Sequence, residues 1–178
     1  QDGGTVNVEM ELYESAVGFS VAYDSARFVP GTELFDTIEC LDAANAFIAF
    51  QSVTGWAVGD LAEGLRLQSG ADDCTVGDSA VGGLFAEPIE ATAVLYEENV
   101  DGVAYQHSFF LVDRGADILQ IECYYPQNLD EFAAAEFTTM MQTIELITFA
   151  PASSGSVQTG PKTVRCEICG GWFMEANE

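Results

Sequence analysis

Two thiols three positions apart, in Cys166-Glu167-Ile168-Cys169-Gly170, are the sharpest local chemistry in the sequence. A thiolate pair at this spacing, with a glycine behind it to allow the turn, supplies half of a tetrahedral zinc site, and the motif resembles half of a zinc-ribbon knuckle. A structural zinc wants four ligands, and the chain's five cysteines and single histidine contain neither a second Cys-x-x-Cys nor a His pair. Completion would come from a second copy of the chain in a homodimer or from cysteines elsewhere in the domain. A structural disulfide or an inert tail is the leading reading of Cys166 and Cys169, zinc the second and redox chemistry the third, because thioredoxin-like reactivity needs the motif at a helix start. Trp172 and Phe173 follow immediately and would cover a knuckle or dock the tail on a neighbouring surface.

Other reactive residue types are sparser. His107 is the single histidine, so a Ser/His/Asp or Cys/His hydrolase would have to use it, yet no Gly-x-Ser-x-Gly elbow or other nucleophile turn occurs. A structural or surface histidine is the preferred reading, and no catalytic residue is assigned. Asp72-Asp73 and Glu97-Glu98 match no calcium loop and read as solvated turn residues. The glycines between Gly77 and Gly83 lack the Lys-Ser/Thr ending of a phosphate loop. Cys123 lies in an apolar run as a small core residue, and Cys40 could pair with Cys74 in an oxidising compartment.

Charge narrows the partners. Twenty-nine Asp and Glu against five Lys and Arg leave a formal net charge of -24. Such a field repels phosphate backbones and anionic lipid, so nucleic acid and acidic membranes are poor partners. A solvated, soluble surface is the simplest reading of the acidity, ahead of cation or basic-partner recruitment and of adaptation to high salt. The most apolar stretch, residues 43–59, is interrupted by Asn45, Gln51, Ser52 and Thr54, and no segment reaches the roughly 20 apolar residues of a membrane span. The polar opening Gln1-Asp2-Gly3-Gly4 without Met reads as a mature or trimmed end.

The elements that must position these residues emerge from periodicity. Val6, Val8, Met10 and Leu12 alternate with polar residues, and Phe19, Val21 and Tyr23 answer them across a turn, which predicts a hairpin. Residues 34–40 and 46–53 form two further strand candidates after the Pro30-Gly31 turn. Asp60 and Glu63 have capping-box spacing ahead of a short helix over 61–68, ended by Gly70 with Asp72-Asp73. Residues 74–88 hold either a short strand or only loop. Runs 91–98, 103–112 and 118–125, joined by short Asp/Gly connectors, predict an antiparallel meander whose partly two-sided apolarity implies cover on both faces. Asn128 and Glu131 open a last helix with Ala133, Phe137, Met140, Met141 and Ile144 on its core face. The resulting organisation is an α+β domain over 1–149, a Pro/Ser/Gly/Thr linker over 150–161 and a cysteine-bearing tail over 162–178.

This order of elements, with Tyr13-Glu14-Ser15-Ala16-Val17-Gly18-Phe19-Ser20-Val21-Ala22-Tyr23 at its start and the hairpin over 106–125 feeding the Asn128 helix, resembles the PsbP-like superfamily, including its bacterial extracytoplasmic and lipoprotein members. The resemblance covers residues 5–149 and implies an antiparallel sheet of about six strands between helices, an α/β/α sandwich. It also implies a non-catalytic binding or assembly module, secreted or lipid-anchored at the cell envelope, engaging a protein or small ligand without a cofactor. It supplies no site residues, and the cysteine tail departs from the pattern. The alternative is a zinc-linked assembly protein using Cys166 and Cys169.

Overall fold

The structure, a computed structural model, describes residues 10–31, 36–129, 131–147, 163–165 and 172–174. The chain divides into two compact units, Gln1–Thr148 and Phe149–Glu178.

In the first unit, β1 (Met10–Ser15) and β2 (Phe19–Asp24) form the expected hairpin, in register from Met10 opposite Asp24 to Ser15 opposite Phe19. β3 (Phe28–Pro30), β4 (Asp36–Cys40) and β5 (Phe47–Val53) follow, then α1 (Val58–Ser69) and β6 (Thr75–Val81). The meander is β7 (Ile89–Val100), β8 (Val103–Asp113) and β9 (Ile118–Pro126), and the unit closes with α2 (Glu131–Thr143) and β10 (Glu145–Leu146). The β7–β8 connection is a two-residue turn, with Asp101 at φ 53° and Gly102 at φ 84°, backbone values that glycine and short polar residues tolerate. Asn99 Oδ1 accepts the Gly102 N–H at 3.0 Å and pins it.

Seven strands form one antiparallel sheet in the order β3-β4-β5-β9-β8-β7-β6, one strand more than expected. The ambiguous stretch after Cys74 pairs along all of β6, and three residues beside Pro30 add β3 at the opposite edge. A second sheet, β1-β2-β10, stands apart, because β10 pairs with β2 rather than with the meander.

Period-2 alternation splits the large sheet into two unlike faces. Ile38, Ile48, Phe50, Val112, Leu119, Ile121 and Cys123 point to the inner face, where the small sheet's Phe19 and Val21 and the Phe137, Met140 and Ile144 stripe of α2 close the core. Phe19 stacks on Phe50 with centroids 4.1 Å apart, and Phe28 meets Phe137 edge-on at 5.3 Å. Thr143 fastens α2 to β2: its hydroxyl accepts the Ala22 N–H at 2.9 Å. On the outer face, Ala62 of α1 packs with Val94, Phe109, Leu111 and Ile118.

The predicted capping box does not form. α1 begins three residues earlier than expected, with Ala57 as its N-cap and no side-chain cap bond, so Asp60 sits inside the first turn. Glu63 binds Arg66 at 2.6 Å instead of reaching back. Packing of Val58, Leu61 and Leu65 against the outer core sets the start of this helix, and Gly70, at φ 62°, ends it as expected.

The second unit contains an antiparallel pair, β11 (Thr163–Arg165) and β12 (Trp172–Met174), with Arg165 opposite Trp172. The expected linker over 150–161 lies outside the described residues. Among those residues no helix is long and apolar enough to cross a membrane.

Candidate functional site

α1 covers only part of the outer face. Beyond it, antiparallel register lines up Tyr96 on β7, His107 on β8, Tyr124 on β9 and Phe47 on β5, with Phe109, Glu122 and Ala49 in the next row. Cross-strand partners share a face, so a sheet this wide gathers onto one surface residues as far apart in sequence as Phe47 and Tyr124.

His107 stands at the centre. Its Nε2 is 2.6 Å from Glu122 Oε1, and its Nδ1 is 3.9 Å from Glu98 Oε2, beyond hydrogen-bond reach. Nδ1 is buried and has no hydrogen-bond partner. Aromatic rings wall the group: Tyr96, Phe109 and Tyr124 lie 4.7, 4.6 and 5.0 Å from the imidazole, and Tyr105 stacks on Tyr124 at 4.8 Å with 6° between planes. Burial, then the charges of Glu98 and Glu122, push the Tyr96 phenol up to about 12. Burial first and Glu98 second also raise the Tyr124 phenol.

Two clefts flank Glu122. One, of about 250 Å³, runs between Leu65 and Gln68 of α1 and the Tyr96, His107 and Phe109 side chains. The other, about 440 Å³, lies over β4 and β5 among Thr37, Glu39, Ala46, Phe47 and Ala49. A larger cleft of about 510 Å³, beside Val58, is lined by Asp78, Glu90 and Asp113 but by no aromatic ring or base. The His107 surface is therefore the better candidate, since it alone combines aromatic walls, an imidazole and carboxylates.

The imidazole thus lies between two carboxylates, Glu122 on Nε2 and Glu98 beside Nδ1. Among the described side chains, Arg27 pairs with Asp42, Arg66 with Glu63 and Arg114 with Asp117.

The other residues singled out by sequence are distributed differently. Glu97 and Glu98 are strand residues of β7 rather than turn residues, and Glu98 faces His107; Asp72 and Asp73 are exposed in the turn after α1. Cys123 is a core residue, as expected. Cys40, Cys74 and Cys123 are free thiols, so the Cys40–Cys74 pairing is not made. β4 and the start of β6 are separated by β5, β9, β8 and β7, roughly 24 Å of sheet, far beyond disulfide reach.

The zinc expectation is also corrected. Among the described residues no group of three or more His, Cys, Asp or Glu could hold a metal ion, which argues against a zinc site. Cys166 and Cys169 themselves lie outside the described residues, as do the side chains of Trp172 and Phe173, whose backbone forms part of β12.

The fold defined by this sheet and its helical cover is PsbP-like. The chain superposes on cyanobacterial PsbP (CyanoP) from Synechocystis sp. PCC 6803 with a TM-score of 0.51 at 9% identity, over 82% of this chain and 97% of that one. A protein from Bacteroides thetaiotaomicron aligns over 89% of this chain and 47% of its own at 12% identity, but its TM-score of 0.40 carries no weight. No family model matches the sequence, and no curated protein matches it.

Proposed function

We propose that the protein is a non-catalytic binding module working outside the cytoplasm, and that its working surface is the part of the outer sheet face not covered by α1. The carrying observation is this opened surface: Phe47, Tyr105 and Tyr124 are only half-buried, around a buried but unsatisfied His107 nitrogen. A sheet face without cover keeps aromatic rings at the surface only at a solvation cost, which a bound partner removes. His107 is held by Glu122 rather than by a hydroxyl or thiol, an arrangement that orients an imidazole without activating a nucleophile. Placement outside the cytoplasm rests on the resemblance to the extracytoplasmic members of the PsbP-like superfamily, an inference by analogy.

A photo-crosslinking residue at Gln51, exposed on this face, should capture a discrete partner in the producing cell, whereas the same residue at Glu87, in the exposed loop after β6, should not. Equal crosslinking from both positions, or hydrolytic turnover that disappears in His107→Ala, would overturn the reading. Fractionation of the same cells checks the compartment.

A further inference from the structure

The two edges of the seven-stranded sheet are built differently. β3 closes one edge with three residues ending in Pro30, a short strand with a residue that cannot donate to a ladder. β6 forms the other edge with seven residues, paired to β7 without interruption from Thr75 opposite Leu95 to Val81 opposite Ile89. It contains no proline and no lysine, and Asp78 is its single charge. Thr75, Val76, Gly77, Asp78 and Ala80 are exposed, and among the described residues no strand pairs with the outward side of β6. A row of peptide N–H and C=O groups left open in this way is a template for a further strand.

Charge selects the occupant. Asp78 shares the outer face with its cross-strand neighbours Thr92 and Leu111, and it lines the cleft of about 510 Å³ together with Glu90 and Asp113. Among the described residues none of these three carboxylates belongs to an ion pair. A second copy of the chain fits poorly, because fully overlapped antiparallel pairing of two β6 strands sets Asp78 against Asp78 between molecules of net charge -24. Of the chain's five cations, Arg27, Arg66 and Arg114 are ion-paired. Lys162 directly follows Pro161, and Arg165 lies in β11, whose three residues already pair with β12. Neither is therefore the centre of a free strand as long as β6.

We propose that β6 is a docking edge for an extended segment of another protein, which adds a strand along residues 75–80 and sets a lysine or arginine opposite Asp78, with the cation turned into the Asp78, Glu90 and Asp113 cleft. Residues two positions to either side of that cation lie beside Val76 and Ala80 on the same face, so the recognised pattern is apolar-x-Lys/Arg-x-apolar. Main-chain hydrogen bonds supply affinity in this mode and alternate side chains supply specificity. The edge is separate from the His107 surface, and Glu87 leads into β7, the neighbouring strand, and is not part of it.

The test is hydrogen–deuterium exchange and titration of the full chain with the peptide Thr-Val-Thr-Lys-Thr-Val-Thr and with its twin carrying Glu in place of Lys. In the free chain, the amides of residues 75–80 that do not bond β7 should exchange rapidly, and the lysine peptide should slow them. It should bind about fivefold more tightly than the glutamate twin, and Asp78→Lys should reverse that preference. Glu14→Lys, on β1, makes the same change in net charge and should leave the lysine peptide ahead. Circular dichroism establishes that each variant is folded. Slow exchange of those amides in the free chain would mean that the edge is already covered, by the chain itself or by a second copy, and would overturn the proposal. So would an unchanged exchange pattern at about 1 mM lysine peptide, or equal affinity for the two peptides. Equal loss of the preference in Asp78→Lys and Glu14→Lys would show diffuse attraction to an acidic protein and sink it as well. Crosslinking from Gln51 reports on the His107 surface alone, so either reading stands without the other.

Discussion

The two faces of the seven-stranded sheet are built from alternate residues of the same strands yet do opposite work. On β5, Ile48 and Phe50 are buried in the inner core, while the alternate residues Phe47 and Ala49 face the half-covered outer side. The inner face is closed by α2 and the β1-β2-β10 sheet; the outer has α1 over one part and an aromatic, acidic surface over the rest. The tight packing therefore resides on one side and the proposed recognition surface on the other, a division that a strand's two-residue period makes available to any sheet covered unequally.

The largest break in this comparison should come from Phe50→Ala. Removing the ring that stacks on Phe19 is expected to cost about 3–5 kcal/mol in chemical denaturation, whereas Phe47→Ala, three positions earlier on the other face, should cost about 1 kcal/mol or less. Comparable losses would mean that the outer face is as tightly packed as the inner.

A smaller effect tests how the two sheets are tied. Arg114 Nε donates to Asp117 Oδ1 at 2.9 Å, its Nη1 donates to the Val17 carbonyl at 2.6 Å, and the Ser52 hydroxyl donates to Asp117. The Arg114 guanidinium, followed by the Ser52 bond, holds the Asp117 carboxyl below the usual carboxylate range against the opposing effect of burial. A depressed folded pKa gives stability that is complete above the unfolded value and is lost as pH falls through the folded one. Asp117→Asn should thus cost about 1–2 kcal/mol at neutral pH, and the gap from the parent should close below about pH 4.

The smallest effects sharpen the surface itself. Tyr96 and Tyr13 are both pushed up to about 12, by burial first and by neighbouring carboxylates after it. Spectrophotometric titration should show late-ionising phenols among the six tyrosines, one fewer in Tyr96→Phe. A raised phenol pKa contributes stability that is fully present below the unfolded value near 10 and is lost as pH rises toward 12, so Tyr96→Phe should also blunt alkaline unfolding in that window. On α2, burial and the nearby Asp24 raise the Glu136 carboxyl. Its ionised form is disfavoured in the folded state at neutral pH, and Glu136→Gln should raise the melting temperature there.

The hairpin of β1 and β2, the meander and the core stripe of α2 were legible because their patterns are local: alternation across a turn, or apolar residues at helical spacing. β3 and β10 were not, since strands of three and two residues carry no period and exist only through their partners. The candidate surface escaped for a related reason. His107, Glu98 and Tyr124 each read as ordinary alone, and Glu97-Glu98 read as solvated turn residues although the strand run 91–98 contains them. The available signal was in the registers: once β7, β8 and β9 are laid antiparallel, Tyr96, His107 and Tyr124 fall in one row.

Sequence by itself determined the fold class, the acidity and most of the strands and helices, because turn chemistry, hydrophobic period and charge act between near neighbours in the chain. Only the tertiary structure decided which strands adjoin, that Cys40 and Cys74 lie too far apart to pair, and that one part of the outer face stays open around His107. Those outcomes depend on strand order and on where α1 comes to rest, set by long-range packing that no local pattern encodes.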